Sequence, residues 1–117
     1  MHPQYRPLVM VHGLWNNPSL FRCLVRELEQ DDFPITIPSL PHQFGRESLR
    51  SLAVQLDRYI LERWGSEQPI DLLGFSMGGL ISRVWLQHLG GACRTKRFFS
   101  IGTPHKGTLA AQVIPPC

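Results

Sequence analysis

Four short apolar runs alternate with longer amphipathic segments along this 117-residue chain, and that alternation restricts its fold more than any other feature. The runs are "PLVMV" (7–11), "ITIPSL" (35–40), "PIDLLGF" (69–75) and "RFFSIG" (97–102). Their length and their proline or glycine boundaries are typical of buried β-strands. We therefore predict four strands, and we expect Pro38 to limit the second one because proline cannot donate a hydrogen bond to a sheet.

The segments between the runs carry apolar residues at helical spacing. They predict a first helix starting after an N-cap at Ser19, a second over 46–64 that stops at Gly65, and a third over 77–89. Strands that alternate with helices favour right-handed crossovers and a parallel sheet with helices on both faces. We predict one α/β domain over residues 1–117, with three layers.

Composition excludes several classes of protein. No apolar stretch approaches the roughly 18–20 residues that span a bilayer, and the N-terminus has no signal-peptide pattern, so a cytoplasmic protein without a transmembrane segment is expected. The three cysteines, Cys23, Cys93 and Cys117, form no CxxC pair and are expected to be reduced thiols. Neither a metal site nor a cofactor motif is visible.

The charge distribution argues against a nucleic-acid partner. The formal net charge is +3, yet all nine acidic residues lie at or before Asp71, so residues 76–117 carry only basic charges. Those basic residues are dispersed and are not interleaved with aromatic side chains, as a nucleic-acid surface would require.

The stretch "GFSMGG" (74–79) contains the pattern G-x-S-x-G between a predicted strand and a predicted helix. This pattern is typical of a sharp turn that exposes a nucleophilic serine, here Ser76. Gly74 and Gly78 would allow neighbouring backbone to approach, and the N–H of Met77 would donate to an oxyanion. The alternative interpretation is a structural serine in a tight turn.

Two further motifs follow predicted strands. His12, Gly13 and Leu14 come after the first strand, where the backbone N–H of Leu14 would be a second oxyanion donor and His12 would support the loop. "TPHKG" (103–107) follows the fourth strand and contains His105, which is either a loop-capping residue or a surrogate base. In a parallel sheet, such segments converge at the carboxyl ends of the strands.

Together, "LVMVHGLW", "IDLLGFSMGGLISR" and "SIGTPHKGT" resemble the α/β-hydrolase superfamily, and within it the small bacterial lipases and esterases, including compact cyanobacterial forms. The resemblance covers about residues 7–110. It implies a serine ester hydrolase that acts on an ester or acyl lipid through an acyl-enzyme, without a cofactor. It also implies that Ser76 is the nucleophile and that Met77 and Leu14 are the oxyanion donors.

The chain departs from that family in its triad, whose acid and histidine follow the serine on later strands. No acidic residue follows Asp71, which lies about 16 Å from Ser76 at roughly 3.3 Å per strand residue. We therefore expect the N-terminal portion of an incomplete domain, inactive or nearly so as an ester hydrolase. The alternative is a non-catalytic binding or assembly module derived from a hydrolase, and "RFFSI" is expected to form an exposed edge that allows self-association. The sequence leaves hydrolysis and acyl transfer open.

Overall fold

The computed structural model describes residues 6–12, 18–30, 34–40 and 48–102. It contains the predicted strands and helices, with one additional short 3₁₀ helix. In chain order the elements are β1 (Leu8–Val11), α1 (Pro18–Gln30), β2 (Ile35–Thr36), α2 (Leu49–Trp64), β3 (Ile70–Phe75), α3 (Met77–His88), the 3₁₀ helix (Gly91–Cys93) and β4 (Thr95–Ile101).

Two helix starts differ from the sequence prediction. The expected N-cap Ser19 lies inside α1, which begins at Pro18. Proline is favoured at the first helical position because an N–H there has no acceptor within the helix, so its absence costs no hydrogen bond. For α2 the predicted start at residue 46 was three residues early. Its N-cap is Ser48, whose side chain accepts a hydrogen bond of 3.0 Å from the N–H of Ser51.

The ends of α2 and β2 can also be compared with the sequence prediction. Gly65 stops α2 as predicted, with φ at 76° and its N–H donating to the carbonyl of Leu61 at 2.9 Å. A positive φ favours glycine because it has no Cβ to clash. The end of β2 differs from the predicted run 35–40: the strand covers only Ile35–Thr36 and stops before Pro38, the residue expected to limit it.

All four strands are parallel, in the order β2-β1-β3-β4. The register pairs Val11 with Gly74 and Phe75 with Ile101, so the carboxyl ends of β1, β3 and β4 lie side by side. In a parallel α/β sheet this edge is where ligands bind.

The larger hydrophobic core lies on one face of the sheet, under α2 and α3, and is called the α2/α3 face below. Side chains from the strands and from both helices pack there and are buried; they include Val9, Val11, Leu52, Leu56, Ile60, Ile70, Leu72, Ile81, Trp85 and Phe98. The two helices are also joined by a hydrogen bond of 2.9 Å from the indole Nε1 of Trp85 to Asp57.

The opposite face, called the α1 face below, has a smaller core. The buried strand residues there are Leu8, Met10, Leu73 and Phe75, with Leu24, Val25, Leu28 and Ile35 packed against them. Helices therefore cover both faces, as the alternating pattern predicted.

Two other expectations can be compared with the described residues. Cys23 and Cys93 are exposed and are not in a disulfide, in agreement with reduced thiols, whereas Cys117 lies outside the described ranges. Among the helices of the described residues, none combines the length and the apolar character needed to cross a membrane.

At the amino end of the sheet, Arg94 ties the turn after α2 to β4. Its Nε and one terminal nitrogen donate to the carbonyl of Gln68 at 3.1 and 2.8 Å, and the other terminal nitrogen donates to the carbonyl of Gly65. Burial lowers the pKa of this guanidinium, while Asp57 and Glu67 act in the opposite direction. These contacts hold the end of the sheet that lies away from Ser76.

Candidate active site

Ser76 lies at the junction of β3 and α3, with φ at 57° and ψ at −126°. It is the only non-glycine residue in the described ranges with a positive φ. A conformation of this kind costs on the order of 1–3 kcal/mol and persists only where the surrounding structure enforces it. Such strain is concentrated at functional sites, so this serine is the centre of the candidate site.

The glycines around Ser76 allow this turn because there is no space for a side chain at either position. A Cβ on Gly74 would lie 2.4 Å from the Cα of Gly79, and one on Gly78 would lie 1.9 Å from the carbonyl oxygen of Val11. Both obstacles are backbone atoms, which cannot turn aside as a flexible side chain can. The spacing G-x-S-x-G is therefore a packing requirement between α3, β3 and β1.

Hydrogen bonds hold the turn from two sides. The N–H of Ser76 donates to the carbonyl of Ile101 at 2.7 Å, and the N–H of Gly79 donates back to the carbonyl of Ser76 at 3.0 Å. One turn later, the buried Ser82 hydroxyl donates to the carbonyl of Gly78 at 2.7 Å. The position of the candidate nucleophile therefore depends on β4 as well as on α3.

A comparison of two serines bears on the structural interpretation of Ser76. Ser48 and Ser76 each precede a helix directly, and Ser48 caps α2 with its side chain in extended backbone geometry. By contrast, none of the described N–H groups at the start of α3 donates a capping hydrogen bond to the Ser76 side chain. A serine that only capped its helix would be expected to behave as Ser48 does.

The expected convergence of motifs can be followed as far as the described residues extend. His12 follows β1, and its backbone comes within 3.0 Å of where a Cβ on Gly78 would lie. Ile101, the last residue of β4, contacts Ser76 through the backbone. The ends of three strands therefore meet at Ser76, as topology predicted. Gly13, Leu14 and His105 lie outside the described residues.

The start of α3 provides a favourable environment for negative charge at this edge. Met77 is the first residue of the helix, and the first N–H groups of an α-helix have no acceptor within the helix. The helix dipole adds partial positive charge at the same end. An oxyanion formed next to Ser76 would therefore be stabilised, which is the role expected for the N–H of Met77.

Asp71 forms an ion pair away from this edge. It is buried on β3 and accepts a hydrogen bond of 3.0 Å from Nε of Arg6, while a terminal nitrogen of Arg97 lies 3.7 Å from its other oxygen. No sequence pattern indicated this cluster, because its three members come from different parts of the chain and meet only through the sheet register. Both carboxylate oxygens of Asp71 therefore face arginines, and the expectation that Asp71 does not act at Ser76 stays a prediction. Within the described ranges, His, Cys, Asp and Glu form no group of three that could hold a metal.

Comparison with known proteins agrees with this geometry. A family model described as "alpha/beta hydrolase fold" matches residues 6–116. The chain belongs to the α/β-hydrolase fold family. The fold class expected from the three motifs is thereby confirmed.

Similar proteins include both thioesterases and lipases. The chain is 35% identical over 108 residues to the lysosomal thioesterase PPT2 homolog of Drosophila melanogaster, covering 88% of this chain and 37% of that protein. It is 31% identical over 110 residues to the lysosomal thioesterase PPT2 of Homo sapiens, covering 88% and 35%. The chain thus spans little more than a third of the length of these curated relatives.

Solved structures of bacterial lipases share the fold. Mature Bacillus licheniformis lipase BlEst2 has a TM-score of 0.68 and 25% identity, covering 91% of this chain and 44% of that one. A putative lipase (lip1) from Acinetobacter baumannii has a TM-score of 0.66 and 24% identity, covering 87% and 35%. The narrower resemblance to compact cyanobacterial lipases is not distinguished by these similarities.

Proposed function

We propose that the chain carries the nucleophilic part of a serine hydrolase that cleaves acyl esters or acyl thioesters. The observation that carries this proposal is the backbone of Ser76, which is held at positive φ between β3 and α3 by packing that excludes side chains at Gly74 and Gly78. A strained serine at the carboxyl edge of a parallel sheet is the arrangement that presents a hydroxyl to a substrate carbonyl.

In the proposed reaction, Oγ of Ser76 attacks the acyl carbonyl carbon and loses its proton to a base. The tetrahedral oxyanion receives hydrogen bonds from the N–H of Met77 and, as the family resemblance implies, from that of Leu14. Collapse of the intermediate breaks the bond to the alcohol or thiol, which leaves with a proton. Water then attacks the acyl-enzyme, releases the carboxylic acid and restores the serine hydroxyl.

The similar proteins are our reason for including sulfur esters as well as oxygen esters among the proposed substrates. Their names include thioesterases as well as lipases, so we extend the carboxylic esters expected from the motifs to acyl thioesters. The turn at Ser76 between β3 and α3, called the elbow below, favours neither class, because Ser76 and the proposed oxyanion donors act only on the carbonyl that both substrates share.

Activation of Ser76 is the step that the chain supports least. Asp71 is engaged by Arg6 and Arg97, and no acidic residue follows it in the sequence. His105 is the proposed surrogate base, with no carboxylate assigned to orient it. We therefore expect the 117-residue chain to react with an activated electrophile but to turn over ordinary esters slowly, because the oxyanion donors alone leave only residual catalysis.

A fluorophosphonate probe tests the nucleophile directly. We expect the chain to be labelled at Ser76, Ser76→Ala to abolish labelling and Ser66→Ala to leave it unchanged. Ser66 is a suitable control because it is exposed in the turn after α2. Labelling that persists in Ser76→Ala, or that is absent from a folded wild-type chain, contradicts the proposal. Hydrolysis of p-nitrophenyl esters and of acyl-coenzyme A thioesters then compares the two substrate classes, and His105→Ala shows whether that residue supports any turnover.

An assembly role is the second candidate, and one observation favours it. Phe99 and Ile101 on β4 are 46% and 38% exposed, and in the described sheet β4 pairs with β3 alone. Self-association through the edge of β4 would raise the average mass of the folded protein in solution as its concentration increases.

The predicted cytoplasmic location stays a prediction. Fractionation of cells that express the protein would compare it with the lysosomal location in the names of the relatives.

A further inference from the structure

Ser82 is a polar residue on the buried side of α3, where its exposed fraction is 0%. Its hydroxyl donates to the carbonyl oxygen of Gly78, four residues earlier, at 2.7 Å. A carbonyl oxygen has two lone pairs, so it can accept this hydroxyl as well as the N–H of the next helical turn. The helix does not need the extra bond, because alanine has the higher helix propensity and brings no polar atom into the core.

The carbonyl that accepts the Ser82 hydroxyl is connected to the elbow. It belongs to the peptide unit that joins Gly78 to Gly79, and the N–H of that unit donates to the carbonyl of Ser76 at 3.0 Å. The Ser76 carbonyl belongs in turn to the peptide unit whose N–H is that of Met77. Two hydrogen bonds and two peptide units therefore connect Oγ of Ser82 to the N–H that is the proposed oxyanion donor.

All the dipoles along this path point in the same direction. The oxygen and the N–H of one peptide unit share a delocalised electron system, so a hydrogen bond accepted by the oxygen makes the N–H a stronger donor. Successive hydrogen bonds in such a chain strengthen one another by roughly 10–30% per bond. Gly78, Gly79 and Ser82 are buried, where the low local dielectric increases this effect. The path ends at Met77, whose N–H has no acceptor within the helix.

We propose that Ser82 is a positioning residue of the oxyanion site, whose hydroxyl polarises the N–H of Met77 through these two peptide units. The inference rests on the function proposed above, because it requires an oxyanion beside Met77. When Oγ of Ser76 attacks an acyl carbonyl, the polarised N–H interacts more strongly with the developing negative charge than with the ground-state carbonyl. A serine that only satisfied its own hydroxyl within the helix would leave the reactivity of Ser76 unchanged.

The kinetic test uses a fluorophosphonate, because its phosphoryl oxygen occupies the place of the oxyanion. Loss of a whole oxyanion donor costs about 10²–10³-fold in rate, and a change of about 10–30% in the strength of one bond is a corresponding fraction of that factor on a logarithmic scale. We therefore expect Ser82→Ala to lower the maximal rate of Ser76 labelling by about two- to eightfold. The half-saturating probe concentration should stay the same, because the effect belongs to the reacting state.

Thr95→Val is the matched control. The Thr95 hydroxyl is buried and donates at 2.8 Å to the carbonyl of Gly91, with the same four-residue spacing. Thr95 pairs with Ile70 at the amino end of β3, six residues from Ser76. Its removal should cost stability as the removal of the Ser82 hydroxyl does, and the labelling rate should not change. Circular dichroism and urea denaturation establish that both variants fold.

A spectroscopic test reads the polarisation without any reaction. In the isotope-labelled chain, the ¹³C resonance of the Ser76 carbonyl and the ¹⁵N resonance of Met77 should move upfield in Ser82→Ala, because both groups lose polarisation. Thr95→Val should leave the two resonances in place. Loss of a local contact alone would shift the carbonyl of Gly78 and leave the amide of Met77 unchanged.

The two measurements separate this inference from the nucleophile itself. An unchanged Met77 resonance in Ser82→Ala overturns the inference, and so does a wild-type labelling rate in that variant. In both cases Ser76 can still be the nucleophile, since the wild-type chain is labelled. If a folded wild-type chain is not labelled at all, the function proposed above fails, and the Met77 resonance alone decides whether Ser82 polarises this N–H.

Discussion

The α2/α3 face and the α1 face of the same sheet differ most clearly at two consecutive residues of β4. Phe98 points to the α2/α3 face and is 6% exposed, whereas Phe99 points to the α1 face and is 46% exposed. The residue type and the strand are identical, so the difference comes from what lies above each face. Two helices, α2 and α3, cover the first face. In the described residues only α1 packs on the second face, and it leaves Phe99 partly exposed.

The two faces therefore contribute unequally to the stability of the fold. The α2/α3 face contains most of the buried apolar side chains of the described chain, and burial of apolar area is the main favourable term in folding. The elbow also belongs to this face, since α3 begins at Met77 and approaches β1 through Gly78. The α1 face contributes less to the core and leaves Phe99 and Ile101 partly exposed in the described structure.

The largest effect is expected from Gly78→Ala, which separates α3 from β1 on the packed face. The new Cβ would lie 1.9 Å from the Val11 carbonyl oxygen, so backbone must move and Ser76 must move with it. We expect a loss of at least about 3 kcal/mol of unfolding free energy and loss of fluorophosphonate labelling, measured by urea denaturation and by gel. Gly90→Ala is the control: its Cβ would meet nothing within 4 Å, and only its φ of 79° is unfavourable. Equal effects of the two substitutions would contradict the packing argument.

A pair of substitutions on β4 compares the two faces directly. Phe98→Ala should cost about 3–5 kcal/mol, because it opens a cavity in the buried core. Phe99→Ala should cost less than about 1 kcal/mol, because nearly half of the side chain is already in water. Thermal and urea unfolding of both variants measure this. A large loss for Phe99→Ala alone would show that the α1 face is covered in solution.

The smallest effects concern one polar contact on each face. Trp85→Phe removes the hydrogen bond to Asp57 within a buried helix pair and should cost about 1–3 kcal/mol. Arg6→Gln removes an ion pair whose arginine is one-third exposed and should cost less than about 1 kcal/mol. Asp57→Asn keeps an acceptor for the indole and should lose less than Trp85→Phe. If Arg6→Gln destabilises the protein more than Trp85→Phe does, the conclusion that the α2/α3 face contributes more to stability is contradicted.

Much of the fold followed from local patterns in the sequence. Apolar runs and helical periodicity located every strand and the three α-helices, because burial depends on residue type and spacing within one element. Boundaries were less certain: β4 begins at Thr95, two residues before the predicted start, because Thr95 pairs with Ile70. That pairing depends on the sheet register, which no local pattern contains. The start of α2 at Leu49, and not at residue 46, depends similarly on the capping hydrogen bond of Ser48.

The candidate site divides in the same way. The strained turn at Ser76 with Gly74 and Gly78 on either side was predictable because its pattern lies within five residues, although the contacts of Gly78 reach Val11 on β1. The Arg6–Asp71–Arg97 cluster was not, since Arg6 precedes β1, Asp71 lies on β3 and Arg97 lies on β4, so the three meet only through the sheet register. The nearness of His12 to Gly78 follows from topology. The roles of Leu14 and His105 stay predictions.

The 2.7 Å hydrogen bond from the Ser76 N–H to the carbonyl of Ile101 has a consequence for the order of folding. Ile101 follows the whole of α3 in the chain, so the donor on Ser76 gains this acceptor only when β4 has docked beside β3. If Ser76 is the nucleophile, as proposed, its site forms late: a nascent chain without β4 would contain the serine without its final backbone orientation. By reciprocal linkage, a covalent adduct that favours the native elbow should slow hydrogen–deuterium exchange along β4. Labelling of Ser76 at the carboxyl edge of the sheet would thus report whether β4 is in place beside β3.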